Sequence, residues 1–239
     1  MTPAFRTLAL LAAAAAMAAC EPASDAAFGK RVRAYLLEHP EVIREAAQKL
    51  AENEEKAAVQ AASNALSGAR ARLEQDKRDF VANPGGKITV VEFFDYRCGY
   101  CKVTAPQILK LIADNPDVRF VFKEMPIFGD VSDTAARVAL TPAGKAKGLQ
   151  LYRLLMAEKN LTEAALDRHL VSLGIDPAAA REAAKSPEIT DQISDSLTLA
   201  QDLKIEGTPA FVVGDTLIPG ADLDALHAAI IKAKASKKG

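Results

Sequence analysis

The chain has no tryptophan among its 239 residues and only 5% aromatic residues, too few flat side chains for the stacking platforms of sugar- or base-binding modules. Charge of one sign is also missing, because 30 Lys and Arg face 31 Asp and Glu. That balance supplies no electrostatic footprint, so no nucleic-acid partner is expected. Cysteine and histidine are scarce, three of each. A structural zinc site needs four ligands, usually a second Cys pair or two spaced His. Here His39, His169 and His227 stand alone in sequence, so no metal and no cofactor are expected. His169 and His227 are read as ordinary surface or packing residues on helices.

What is present is the pair Cys98-Gly99-Tyr100-Cys101, directly after the apolar run Ile88 to Phe94. A strand that delivers two cysteines into the first turn of a helix makes a reversible dithiol/disulfide. A purely structural disulfide closing so small a loop would constrain almost no chain entropy. The residues from Lys102 to Ala113 read as the helix, whose N-terminal N–H groups favour thiolate at Cys98. Cys98 is therefore the expected nucleophile, and Cys101, one turn further in, the resolving thiol. Arg97 and Lys102 flank the pair and could add positive potential, although flanking charges on a helix start are more often just solvated. Pro106 lies within the helix, where it costs a hydrogen bond and introduces a kink.

A second constellation, Gly207-Thr208-Pro209 ahead of Ala210 to Val213, is compatible with a cis X-Pro bond. Together with the strand, the Cys pair and Pro106, it resembles a thioredoxin fold, and in particular the bacterial DsbA-type domain with a helical insertion. The resemblance covers residues 84 to 236 and implies an α/β fold. It further implies that Pro209 is cis beside the sulfurs, that the Thr208 backbone pairs with substrate peptide, and that Gly99 and Tyr100 face the substrate. Glu92 falls where the family keeps a buried acid that takes up protons during exchange; on its own it also reads as a strand-edge carboxylate.

Residues 1–19 read as an export signal, with Arg6 and then the apolar run Leu8 to Ala19, too short for a membrane span of about 20 residues. Met17-Ala18-Ala19-Cys20 resembles a bacterial lipobox, so Cys20 is expected to carry lipid. Cleavage after Ala18 would instead leave Cys20 as an odd free thiol. Residues 20–83 read as a helical oligomerisation and linker segment: one helix capped by Ser24 or Asp25, another begun at Pro40. Leu36, Ile43, Leu50 and Ala57 repeat every seven residues, as do Val59, Leu66, Leu73 and Phe80. The two registers disagree, which predicts a bend or mobile linker near Ala57 to Asn64. Single-residue stripes of this kind are too narrow for an isolated helix, so the segment either packs on the catalytic domain or meets copies of itself; self-association is expected, because a helix this long and charged cannot lie mostly buried on a domain of ~150 residues. Asn83-Pro84-Gly85-Gly86 marks the expected start of the catalytic domain, 84–239. Helices inserted at about 127–204 are expected to begin at Thr162, Asp176 and Ser186.

Tyr100 and Thr208 stand where dedicated oxidases of the family tend to carry His and Val. The chain thus resembles the oligomeric isomerases and reductases of the periplasm, most of all the copper-sensitivity-suppressor type. That resemblance implies a trimer, misbridged exported proteins as clients, a membrane-bound reductase as partner and a link to copper tolerance. The alternatives are a monomeric dithiol oxidase and an envelope protein holding Cu(I) on Cys98 and Cys101.

Overall fold

In the computed structural model, residues 25–236 are described. The segment expected to be an export signal and Cys20, expected to carry lipid, lie outside them. The chain divides into two compact units, 1–58 and 59–239. In the first, α1 (Asp25–Glu38) is followed by the start of α2 (Glu41–Gly68). Phe28, Leu37, Ile43 and Leu50 are all exposed there.

The stretch Ala57 to Asn64, expected to hold a bend or mobile linker, is helical at every residue; it contains Ala, Gln and Asn but no Gly or Pro to break a helix, and the boundary between the two units falls within it. For the second heptad stripe the alternative to self-association holds, packing on the catalytic unit. Leu66 and Leu73, the latter on α3 (Arg70–Glu74), are 2% and 0% exposed and belong to the core of the second unit. That unit consequently starts at Val59, ahead of the Asn83 to Gly86 stretch. Asn83 to Gly86 is instead the turn between β1 (Phe80–Ala82) and β2 (Ile88–Phe94). Asn83 adopts φ 50°, a left-handed conformation that Asn tolerates, and its side-chain amide donates to Ile112 and Asn115 carbonyls.

The sheet runs β1-β3-β2-β4-β5, where β3 is Val118–Glu124, β4 Ala210–Val213 and β5 Thr216–Pro219. β2 pairs parallel with β3 and antiparallel with β4. As the central strand it is covered on both faces, which explains its nearly unbroken apolar sequence. Val90, Phe94, Phe120 and Phe122 face one core, shared with α4 (Gly99–Asp114), α7 (Gly148–Ala157) and α11 (Leu223–Ser236). Val91, Phe93 and Val121 face the other, against Leu66, Leu73 and Leu199.

Between β3 and β4 come α5 (Asp130–Leu140), α6 (Pro142–Ala146), α7, α8 (Glu163–Ser172), α9 (Pro177–Ala183) and α10 (Pro187–Asp202). Thr162, Asp176 and Ser186 cap the last three through side-chain oxygens that accept from the N3 amides.

Candidate active site

Cys98 occupies the N-cap of α4, with extended backbone at φ −66° and ψ 121°. Its amide donates to the Asp95 carbonyl at 3.1 Å, and its own carbonyl accepts from the Lys102 amide at 3.1 Å. The loop before it is anchored by the buried Asp95 carboxylate. That group accepts from the amides of Arg97 (2.6 Å), Ile127 (2.8 Å) and Phe128 (3.1 Å) and from the Ser132 hydroxyl (2.8 Å). The helix start and the loop leading into the insertion are thereby tied to one side chain.

The Cys98 thiol donates to the Thr208 carbonyl at 3.1 Å, bringing together residues 110 apart in sequence. The Thr208-Pro209 bond is cis. Both cysteines are free thiols, and Cys101 is fully buried. The Cys98 thiol is pulled down to about 5, first by a hydrogen bond from the Cys101 thiol. Burial opposes this, while the Thr208 side chain and the backbone amides of Cys101 and Tyr100 assist. The Thr208 hydroxyl is buried without a partner in the thiol form, so it is available as a donor once thiolate forms. The helix start does favour thiolate, as the sequence implies, but the neighbouring thiol has the larger effect. Cys101 is pushed far the other way by the bond it shares with Cys98, then by burial, with the Glu92 charge adding to both. One sulfur is poised as an anion and its neighbour as a thiol.

Arg97 and Lys102 are not among the main causes of the Cys98 shift, although Lys102 interacts electrostatically with Cys101. The Lys102 ammonium is tethered to the Leu155 and Glu158 carbonyls at the C-terminal end of α7, at 3.0 and 2.7 Å, and Arg97 donates to the Phe128 carbonyl. Such carbonyls are unsatisfied within the helix and attract a cation.

Glu92 is not on an edge strand. It lies on central β2, 1% exposed, with burial pushing its carboxyl up to about 8. The Tyr152 hydroxyl on α7 donates to its two oxygens at 3.1 and 3.2 Å and partly opposes that rise. A second buried acid, Glu124 at the end of β3, accepts from the Tyr96 hydroxyl at 3.1 Å. Its carboxyl is held well above the usual range by burial.

Gly99 and Tyr100 sit in the first turn of α4, and Tyr100 is 70% exposed. Val103, Ile127 and Phe128 are exposed as well. A groove of about 220 Å³ runs beside Thr208 and Pro209, bounded by Glu206, Leu217 and Pro219. His169 pairs with Glu158 at 3.1 Å and His227 bonds the Leu223 carbonyl, as packing and surface residues do. Among the described residues no group of three or more His, Cys, Asp or Glu is placed to hold a metal ion. Sequence reasoning missed Asp95, Tyr96, Glu124 and Tyr152. Asp95 and Tyr96 lie close enough to the Cys pair to have been suspected. Tyr152 carries no local signal.

Comparison with known proteins places this geometry. The DSBA-like thioredoxin domain matches residues 89–230, and the N-terminal domain of the copper resistance protein ScsC matches residues 25–57. A thioredoxin-like oxidoreductase from Silicibacter pomeroyi DSS-3 is 37% identical, with 70% of this chain and 98% of that one covered at a TM-score of 0.66. Proteus mirabilis ScsC, solved in a transitional conformation, is 31% identical over 89% of this chain and 99% of that one, TM-score 0.64. A curated relative, a Na(+)/H(+) antiporter NhaA of Salinispora tropica, is 30% identical over 67% of this chain. The chain spans 26% of that antiporter's length, and no described helix is long and apolar enough to cross a membrane. With its thioredoxin fold, helical insertion and paired thiols, the chain belongs to the DsbA-like thiol-disulfide oxidoreductase family, in the form that carries an Scs-type N-terminal region.

Proposed function

We propose that this protein performs thiol-disulfide exchange on exported proteins in the periplasm, working as a disulfide isomerase and reductase. The observation that carries this reading is the opposed poise of the two thiols, Cys98 drawn down to about 5 and Cys101 held as a thiol. Cys98 thiolate attacks a client disulfide, forming a mixed disulfide and releasing one client thiolate. Rearrangement within the client then expels Cys98 unchanged, which is isomerisation. Alternatively, Cys101 gives its proton to the Glu92 carboxylate and attacks the Cys98 sulfur. That step releases the second client thiolate and leaves Cys98-Cys101 as a disulfide. A membrane-bound reductase restores the dithiol.

Clients of varied sequence are held along the groove beside Thr208 and Pro209, with Gly99, Tyr100 and the exposed Ile127 and Phe128 around it. Pairing to the Thr208 backbone adds the client as an extended strand, a mode tolerant of side-chain identity. The isomerase direction is supported by Tyr100, which places no cationic imidazole beside the thiolate, and by the Scs-type N-terminal match. The exposed Phe28, Leu37, Ile43 and Leu50 of the first unit need a partner surface. Copies of the chain, three in the reading adopted here, supply it and gather several thiols around one client. Cys20 bears a lipid that keeps the assembly at the envelope, and copper tolerance follows from repair of miswired proteins.

Refolding of a wrongly bridged substrate, run beside measurement of the Cys98-Cys101 reduction potential, tests the proposal. Recovery of substrate activity that is lost in Cys98→Ser is the expected result. A protein that only oxidises dithiols would return the function to that of a simple oxidase.

A further inference from the structure

Glu92 has one hydrogen-bond donor among the described contacts, and it comes from outside the strand-helix framework that carries the cysteines. Tyr152 belongs to α7 of the inserted helices, 60 residues along the chain, and its hydroxyl spans both carboxyl oxygens at 3.1 and 3.2 Å. The ring is fixed independently of that bond. It packs edge-on against Phe122 at 5.0 Å and Phe94 at 5.4 Å, with Tyr96 at 6.5 Å, and the residue is 1% exposed. A phenol held by three rings cannot follow the carboxyl if it moves, so the carboxyl is oriented by the phenol.

We propose that Tyr152 is a positioning residue for exchange, setting the protonation of Glu92 and so the ease with which Cys101 gives up its proton. The inference rests on the reading of Glu92 as proton acceptor. In that step the Cys101 S–H bond breaks and the Glu92 O–H bond forms, with no outside reactant. Only the carboxylate form accepts the proton, and a neutral O–H donor stabilises that form in a buried site.

The other groups facing Glu92 push the opposite way or are neutral. Cys101, on α4, feels the Glu92 charge, and its own proton is held more tightly when Glu92 is charged. Tyr96 and Glu124 also feel the Glu92 charge, and both are held protonated by burial. The main influences on Glu92 are burial and the Tyr152 hydroxyl, with no cation among them. The phenol is thus what makes a carboxylate tolerable at this position. Because it is carried by the insertion, the helical subdomain acts directly on the redox chemistry.

The test uses the full protein and oxidised glutathione. Attack by Cys98 depends on glutathione concentration, whereas resolution by Cys101 is a first-order phase that does not. In the wild type that phase should quicken as pH rises through the Glu92 titration. In Tyr152→Phe, which keeps the ring and its packing, the rise should move to higher pH by about one unit or more, making resolution about tenfold slower at a fixed pH below it. A fluorinated tyrosine at the same position, a stronger donor of nearly the same size, should move it to lower pH. If Glu92→Gln flattens the profile while neither change at Tyr152 moves it, the Tyr152 inference is overturned and the Glu92 reading stands. If Glu92→Gln also leaves the profile unaltered, the proton-acceptor reading fails, and this inference falls with it.

Discussion

Replacing Cys101 with alanine separates two origins for the acidity of Cys98. The Cys98 thiol sits at about 5 against an ordinary 9.0, and the hydrogen bond from the Cys101 thiol is the largest of the causes. A hydrogen bond to a charged group contributes ~1.5–3 kcal/mol, and each pH unit corresponds to about 1.36 kcal/mol. Loss of that donor should therefore raise Cys98 by about one to two units, while the amides of residues 100 and 101 and the Thr208 hydroxyl keep it below 9.0. At pH 6 the thiolate fraction would fall from about nine-tenths to roughly a quarter, taking a shift near the middle of that range. Cys101→Ser, which retains an O–H donor, should stay near the wild type. The assay is thiolate absorbance in the ultraviolet, checked by alkylation rate against pH.

A consequence for stability has a definite sign. Because the folded-state value is depressed, the reduced protein gains stability that is full above about 9 and is lost as pH falls through about 5. In Cys101→Ala the loss should be complete at higher pH. A Cys98 value of about 5 in both proteins would refute the reasoning and assign the acidity to the helix start and Thr208.

Glu92 shifts in the opposite direction, so its sign reverses. Its folded-state value of about 8 lies above the ordinary 4.5, so the associated stability is full below pH 4.5 and is lost as pH rises through 8. Glu92→Gln should consequently make the reduced protein more stable at pH 7, by on the order of 3 kcal/mol, while impairing exchange; urea unfolding at pH 5 and pH 7 measures the difference, which should shrink to about 1 kcal/mol or less at the lower pH. Truncation tests where the catalytic unit begins. A chain starting at Val59 should fold and exchange disulfides, but one starting at Pro84 loses Leu66, Leu73 and strand β1. At ~1.5–3 kcal/mol for each buried Leu, plus the edge strand, the shorter chain should be destabilised by several kcal/mol, and thermal unfolding of the two truncations would show it.

The chemistry was legible in the sequence because its signals are local. Cys98-Gly99-Tyr100-Cys101 after an apolar strand points to a dithiol at a helix start, and the family resemblance that Gly207-Thr208-Pro209 completes implies the element that meets it. Caps at Thr162, Asp176 and Ser186 are also local, since a side-chain oxygen reaches an amide three residues ahead. Tertiary structure decided everything that depends on which distant residues share a surface. Leu66 and Leu73 continue a heptad spacing, yet burial against β2, β3 and α10 makes them core rather than stalk. Nothing in the spacing distinguishes those outcomes, because an apolar stripe states only that some surface must cover it. The same limit holds for the charges. Arg97 and Lys102 are adjacent to the Cys pair in sequence but bond carbonyls elsewhere, whereas Glu92 receives its donor from Tyr152, across 60 residues. Dehydration of that pocket lifts the carboxyl and leaves the phenol to oppose it, and dehydration is a property of the folded assembly rather than of any segment of chain.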